Sequence, residues 1–224
     1  MRQPLIEEIR TSLTAPELFP NFQEHPFSFF LDSGMDPVRL GRYSFMGSDP
    51  FLVMRSRGRE ITLLRGESAE NIQGNPFDVL REFLNTYSLH GEAPFPFIGG
   101  AVGYFSYDLC HFIERLPSTT VDDLKLPECY LALYDTILAY DHLEGKAYLV
   151  STGFPELDEE RGKQRAAERL KEVKSLIGRP RVTNAPPPLA GQGIVLKSNF
   201  SREEYLEAVA AAREYICAGD IFQV

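Results

Sequence analysis

The sequence predicts an α+β fold, antiparallel sheets packed with helices, and three observations predict it. Strand-like runs come in hairpin-sized groups and not as regular βαβ units. Helical periodicity is confined to three separated stretches, near 75–87, 155–177 and 201–218. Turn residues punctuate the strands at Gly34, Asp49-Pro50 and Gly58. A chain of 224 residues, 43% hydrophobic and 25% charged, is long enough to bury a core and has ordinary globular composition.

In chain order, segments 26–33, 42–48, 51–57 and 60–65 read as short strands forming an antiparallel meander. Asn75-Pro76-Phe77-Asp78 then opens a helix, with an N-cap side chain, proline at the first helical position and an early acid. Its apolar side is Phe77, Leu80, Phe83, Leu84 and Tyr87, at helical spacing. After Pro94 and Pro96 comes a strand rich in glycine and aromatics, Ile98 to Asp108. Two more strands follow, Tyr130 to Tyr140 and Lys146 to Ser151, turned by Leu143-Glu144-Gly145. Between Pro155 and Ile177, charges alternate with Ala166, Leu170, Val173 and Ile177, the pattern of an amphipathic surface helix.

These elements define a first domain, 1–178. Residues 179–193 are rich in proline and small residues with no apolar period, and read as an extended linker. Residues 194–224 read as the truncated start of a second domain. Ser201-Arg202-Glu203-Glu204 is a capping box; Tyr205, Ala208, Val209, Ala212 and Ile216 form an apolar stripe closed by Gly219. Ile221 to Val224 reads as the first half of a strand, and one helix with half a strand has too little apolar surface for a core of its own.

Charge and cysteine content narrow the function. Lys+Arg 23 against Asp+Glu 32 gives a net charge of −9 with no basic cluster, which disfavours nucleic acid and anionic membrane surfaces as partners. The three cysteines, Cys110, Cys129 and Cys217, form no C-x-x-C pair, so a reducing, cytoplasmic compartment is expected. Glu7 and Glu8 interrupt the N-terminal segment where a signal peptide needs an apolar run.

Gly99-Gly100-Ala101-Val102-Gly103 is not a phosphate loop: its register is not G-x-G-x-x-G, and strand-forming aromatics follow where a helix should begin. Such glycines permit close backbone approach. His25, His90, His111 and His142 are scattered without metal-ligand spacing, and no G-x-S-x-G elbow occurs. No self-contained catalytic or metal site is expected. One constellation remains, Phe29 to Ser33 joined by a short turn to Leu40-Gly41-Arg42-Tyr43-Ser44-Phe45. In an alternating strand Arg42 and Ser44 point one way, Tyr43 and Phe45 the other, and Ser33 faces one set across the hairpin. Hydroxyl and aromatic walls of this kind suit an amino acid; the competing reading is a sheet corner with Arg42 pairing a surface acid.

Three motifs carry a resemblance. LDSG followed by LGRYSFMGSDPF within 31–51, FIGGAVGYFSYDL at 97–109 with ERLP at 114–117, and SREEYLEAV with AGDIFQV within 201–224 together resemble component I of the aminodeoxychorismate and anthranilate synthases. The resemblance implies an N-terminal α+β region followed by a chorismate-binding region that carries the active site. The family's lysine-bearing P-I-K-G-T motif and its acidic Mg²⁺ ligands do not occur in this sequence, so no residue here is assigned a catalytic role. The implied reaction aminates chorismate, with ammonia from a glutamine amidotransferase subunit and Mg²⁺ as the Lewis acid that promotes loss of the ring hydroxyl. The SGMDPVRLGRYSFMG turn looks closer to the aminodeoxychorismate type, which serves 4-aminobenzoate and folate synthesis. Anthranilate synthase component I, serving tryptophan synthesis, is the alternative of the same class; a non-catalytic amino-acid-binding or docking module is the rival from another. The resemblance further implies that Leu31, Ser33, Arg42, Tyr43 and Ser44 help line a tryptophan pocket.

Overall fold

The computed structural model describes residues 3–33, 35–89, 93–119, 121–177 and 197–223. The chain divides into two compact units, Met1–Val182 and Thr183–Val224.

The first unit is built on two five-stranded antiparallel sheets. The strands are β1 (Leu5–Ile9), β2 (Phe29–Leu31), β3 (Tyr43–Gly47), β4 (Leu52–Arg57), β5 (Glu60–Arg65), β6 (Ser68–Gln73), β7 (Gly100–Phe105), β8 (Cys129–Tyr134), β9 (Thr136–Asp141) and β10 (Lys146–Ser151). Sheet one has the order β1-β10-β9-β3-β2 and sheet two the order β6-β5-β4-β8-β7. The helices are α1 (Ala15–Leu18), α2 (Pro20–Gln23), α3 (Pro76–Thr86) and α4 (Glu159–Ile177), with a 3₁₀ turn at Tyr107–Phe112.

Strand alternation sorts the side chains into three cores, and the cores define four layers. Phe45, Ile137, Ala139 and Val150 of sheet one meet Val53, Ala132 and Tyr134 of sheet two in the central layer between the sheets. On the other face of sheet one, Met46, Leu138 and Leu149 pack against Ala15, Leu18 and Phe22 of the short helices and Leu170 and Val173 of α4. On the other face of sheet two, Leu52, Met54, Ile61 and Leu133 pack against Phe77, Val79, Leu80 and Phe83 of α3. The fold class read from the sequence is thus the one observed.

Several elements differ from the expectation. The meander is interrupted, because β3 belongs to sheet one and β4 to sheet two, with residues 48–51 crossing between them. The single strand expected from Tyr130 to Tyr140 is two, β8 and β9, which change sheets at Asp135. Continuous apolar patterning cannot reveal a sheet change, since both halves are buried. β1 and β6 were not expected: each is a sheet edge, and acidic or polar residues such as Glu7, Glu8, Glu70 and Asn71 mask the strand signal. On α3, Leu84 is exposed and Val79 joins the core instead.

The remaining elements follow local chemistry. Asn75 caps α3 by accepting a hydrogen bond from the Phe77 amide at 3.0 Å. Gly103 lies where a Cβ would sit 1.9 Å from the Tyr130 carbonyl oxygen on β8, the close backbone approach expected of the glycine-rich strand.

In the second unit, α5 (Arg202–Ala218) has the expected capping box between Ser201 and Glu204, and Gly219 closes it in the left-handed conformation. Residues 221–223 do not form a strand, so the half-strand expected there is corrected for those residues. The expected linker 179–193 lies outside the described residues.

Candidate functional site

Leu31, Ser33, Arg42, Tyr43 and Ser44 sit where β2 and β3 end beside the end of β9. β2 pairs with β3 so that Leu31 faces Phe45, and β3 pairs with β9 so that Tyr43 faces Asp141 and Ser44 faces Tyr140. Beyond β2, the chain turns back sharply. The Asp36 carbonyl accepts hydrogen bonds from the amides of Arg39, Leu40 and Gly41, and a Cβ at Gly41 would lie 1.9 Å from the Ser33 carbonyl oxygen. Only glycine permits that approach. Met35, Val38 and Leu40 on this turn project into solvent.

Ser44 is fully buried, and its hydroxyl is the centre of a polar knot. It donates to Asp32 Oδ1 at 2.8 Å, receives the Ser33 amide at 3.1 Å, and lies 2.7 Å from His142 Nε2. A serine next to a histidine and an aspartate invites a nucleophile reading, but Ser44 is fully buried, and the carboxylate bonds the hydroxyl itself where a nucleophile–base–acid relay needs it behind the imidazole.

Tyr43 faces the other way. Its ring packs edge-on against Phe95 with centroids 5.6 Å apart and tilts against Phe45 at 6.1 Å, and Phe95 in turn meets Tyr148 at 5.1 Å. The alternation predicted for β3 therefore holds from Tyr43 to Phe45, with Ser44 in the polar knot and Tyr43 and Phe45 in the aromatic cluster, but Arg42, expected on the Ser44 side, lies against the Tyr43 ring because Asp141, opposite Tyr43, draws its guanidinium there. Leu31 is exposed, at the edge of this arrangement.

Arg42 pairs with Asp141. Its Nε lies 3.2 and 3.1 Å from the two carboxylate oxygens and its second nitrogen donates at 2.8 Å, a bidentate contact. The guanidinium also lies 5.0 Å from the Tyr43 ring centroid. Arg42 thus takes an acid, as the competing reading supposed, but that acid is buried and not on the surface: the Asp141 side chain is only 4% exposed. Burial pushes the Asp141 carboxyl upward, but the Arg42 hydrogen bonds and the amides of Glu144 and Leu143 outweigh it and hold the group below its ordinary value. The hydrogen bond to Asp141 raises Arg42 correspondingly.

The structure thus brings Ser33 and Ser44 together with Asp32 and His142, and Arg42 and Tyr43 together with Asp141 and Phe95 on the other face of β3; Asp32, Phe95, Asp141 and His142 were not singled out. Asp32 was legible within the LDS motif. Asp141 lies 99 positions from Arg42 and His142 lies 98 from Ser44, so no local pattern could join them. The site offers a carboxylate at the solvent edge, hydroxyl and amide groups behind it, and an aromatic cluster on the opposite side of β3.

Other features lie elsewhere. An apolar cavity of about 210 Å³ lies between α3 and sheet two, lined by Phe51, Phe83, Tyr87, Ile98, Tyr134 and Phe154, and includes none of the sequence-derived site residues. Among the described residues no group of three or more His, Cys, Asp or Glu side chains could hold a metal ion, so Mg²⁺ has no fitting ligand set among them. Among the described residues no helix is long and apolar enough to cross a membrane.

Comparison with known proteins gives these features a context. The chorismate binding enzyme family matches residues 26–224. Anthranilate synthase component 1 of Acetivibrio thermocellus is 33% identical over 229 aligned residues, covering 99% of this chain and 46% of that protein. The protein of the same description from Thermus thermophilus is 34% identical, covering 100% of this chain and 45% of its own length. The chain therefore spans about half the length of these curated relatives. Among solved structures, anthranilate synthase component I from Streptococcus pneumoniae superposes with a TM-score of 0.54 at 20% identity, covering 80% of this chain and 39% of that one, which is a likeness of fold.

Proposed function

Since this chain belongs to the chorismate binding enzyme family, we propose that it is the N-terminal portion of component I of a chorismate-aminating synthase, of the aminodeoxychorismate type. The family match over residues 26–224 is the observation that carries the reading. The SGMDPVRLGRYSFMG turn supports the aminodeoxychorismate product. Anthranilate synthase component I is the second reading, and the descriptions of the curated relatives favour it.

In this reading the whole protein aminates chorismate to 4-amino-4-deoxychorismate, with ammonia from a glutamine amidotransferase subunit, in the cytoplasm. Mg²⁺, held by residues beyond those described above, would supply Lewis-acid chemistry to the substrate. The portion formed by this chain contributes scaffold and an amino-acid pocket. Asp32 supplies a carboxylate for an ammonium group and Ser33 a hydroxyl, Leu31 lies at the edge, buried Ser44 supports both from behind, and Arg42 and Tyr43 brace β3 from its other face, with tryptophan as the ligand.

The test is product analysis of the protein encoded by the complete gene, supplied with chorismate, Mg²⁺ and ammonium. Aminodeoxychorismate without pyruvate release is the expected outcome. Fluorescent anthranilate with stoichiometric pyruvate would establish the second reading, and absence of either product would leave the non-catalytic module. The 224-residue chain alone is expected to form neither product.

A further inference from the structure

The hydroxyl of Ser44 has one hydrogen and two lone pairs, and it has three neighbours. The Ser33 amide is a donor by nature and takes one lone pair at 3.1 Å. The Asp32 carboxylate is an acceptor and takes the hydrogen at 2.8 Å. What remains for His142 Nε2, at 2.7 Å, is the second lone pair. The imidazole must therefore donate. Were Nε2 the acceptor, Ser44 would turn its hydrogen away from Asp32 and leave oxygen facing carboxylate oxygen at hydrogen-bond distance.

We propose that His142, in its Nε2-protonated form, is the positioning residue of the amino-acid site: it fixes the Ser44 rotor, and Ser44 fixes both the Asp32 carboxylate and the Ser33 backbone. The inference rests on the amino-acid-pocket reading for its ligand, an α-amino acid with an aromatic side chain. In this proposal His142 acts through Ser44. Its ring is held from the side by Tyr140, with centroids 4.9 Å apart, and its backbone amide donates to the Arg42 carbonyl at 2.8 Å. The end of β9 thus sets the conformation of a turn that begins on β2, through one buried hydroxyl. The tight contact of Gly41 with the Ser33 carbonyl closes the same turn from its other end.

Two measurements on the complete protein test this. Nitrogen-15 NMR of labelled histidine reads the protonated nitrogen directly and needs no variant: a His142 ring protonated at Nε2 is expected, and a ring protonated only at Nδ1 would overturn the assignment. Calorimetry with tryptophan then compares His142→Gln, whose side-chain amide keeps a donor toward Ser44, with His142→Leu, which has none. The glutamine variant is expected to bind within about threefold of the parent, while the leucine variant loses about tenfold or more and shifts the Ser33 amide resonance, as loss of a donor to a buried acceptor costs. Equal binding by the parent and the leucine variant would overturn the positioning role. If the parent binds no tryptophan while the leucine variant still shifts the Ser33 resonance, the pocket reading falls and His142's hold on Ser33 stands.

Discussion

Arg42 and Asp141, 99 residues apart in sequence, form a bidentate ion pair at the junction of β3 and β9, with the carboxylate buried and the guanidinium half in water. The same carboxylate accepts the Leu143 and Glu144 amides at 3.0 and 3.2 Å, so one side chain both closes the β9–β10 turn and anchors the entry to β3.

Replacing Arg42 by methionine keeps the stem but leaves a buried charge without its cation. A stability loss of about 1–3 kcal/mol is expected in denaturant unfolding, moderated by the partial exposure of Arg42. Arg42→Lys should recover only part of the loss, since an ammonium cannot reproduce the fork.

Acid should release this pair in a definite direction. The folded Asp141 value lies below its ordinary one, so its contribution is present above the unfolded value of roughly 3.9 and is lost as pH falls through the folded value. Unfolding midpoints measured from pH 6 downward should fall below about pH 4 in the parent, and less steeply in Asp141→Asn once its lower starting stability is allowed for. Parallel acid profiles would show that Asp141 is not the group responsible.

Asp135 makes a different case. It is fully buried where the chain crosses between the sheets, 3.1 Å from Arg165 Nε and 3.6 Å from Arg169 Nε on α4. Burial raises its carboxyl, against the pull of the two arginines. Asp135→Ala leaves Arg165 with the Phe154 carbonyl and Arg169 with Glu172, so a cost of about 1–3 kcal/mol, read as a lowered thermal midpoint, is expected. A change under 1 kcal/mol would mean that water or Glu172, which already pairs with Arg169 at 2.6 Å, takes the aspartate's place.

Gly103→Ala places a methyl group 1.9 Å from the Tyr130 carbonyl oxygen and 2.9 Å from the Leu131 Cα. Backbone must move on β7 or β8, so a loss of about 1–3 kcal/mol is expected. Gly58→Ala is the control for introducing a Cβ, since nothing lies within 4 Å of one there; its positive φ still carries a smaller strain.

Local chemistry determined a good part of this protein. The N-caps of α3 and α5, the glycine that ends α5, the buried stripe of Ala166, Leu170 and Val173 on α4, and the alternation that sends Ser44 and Tyr43 to opposite faces all act within a few residues. They were therefore readable from the chain. Ser33, Arg42, Tyr43 and Ser44 were likewise legible as a group because they lie on one hairpin. The tertiary structure alone decided that β3 and β4 part into different sheets, that β8 and β9 separate at Asp135, and that Asp141 and His142 arrive beside Arg42 and Ser44. Those outcomes depend on which buried faces meet and which distant charge or donor arrives beside a given acceptor. A sequence read locally encodes the need for such a partner, and only the packed sheets select which residue supplies it.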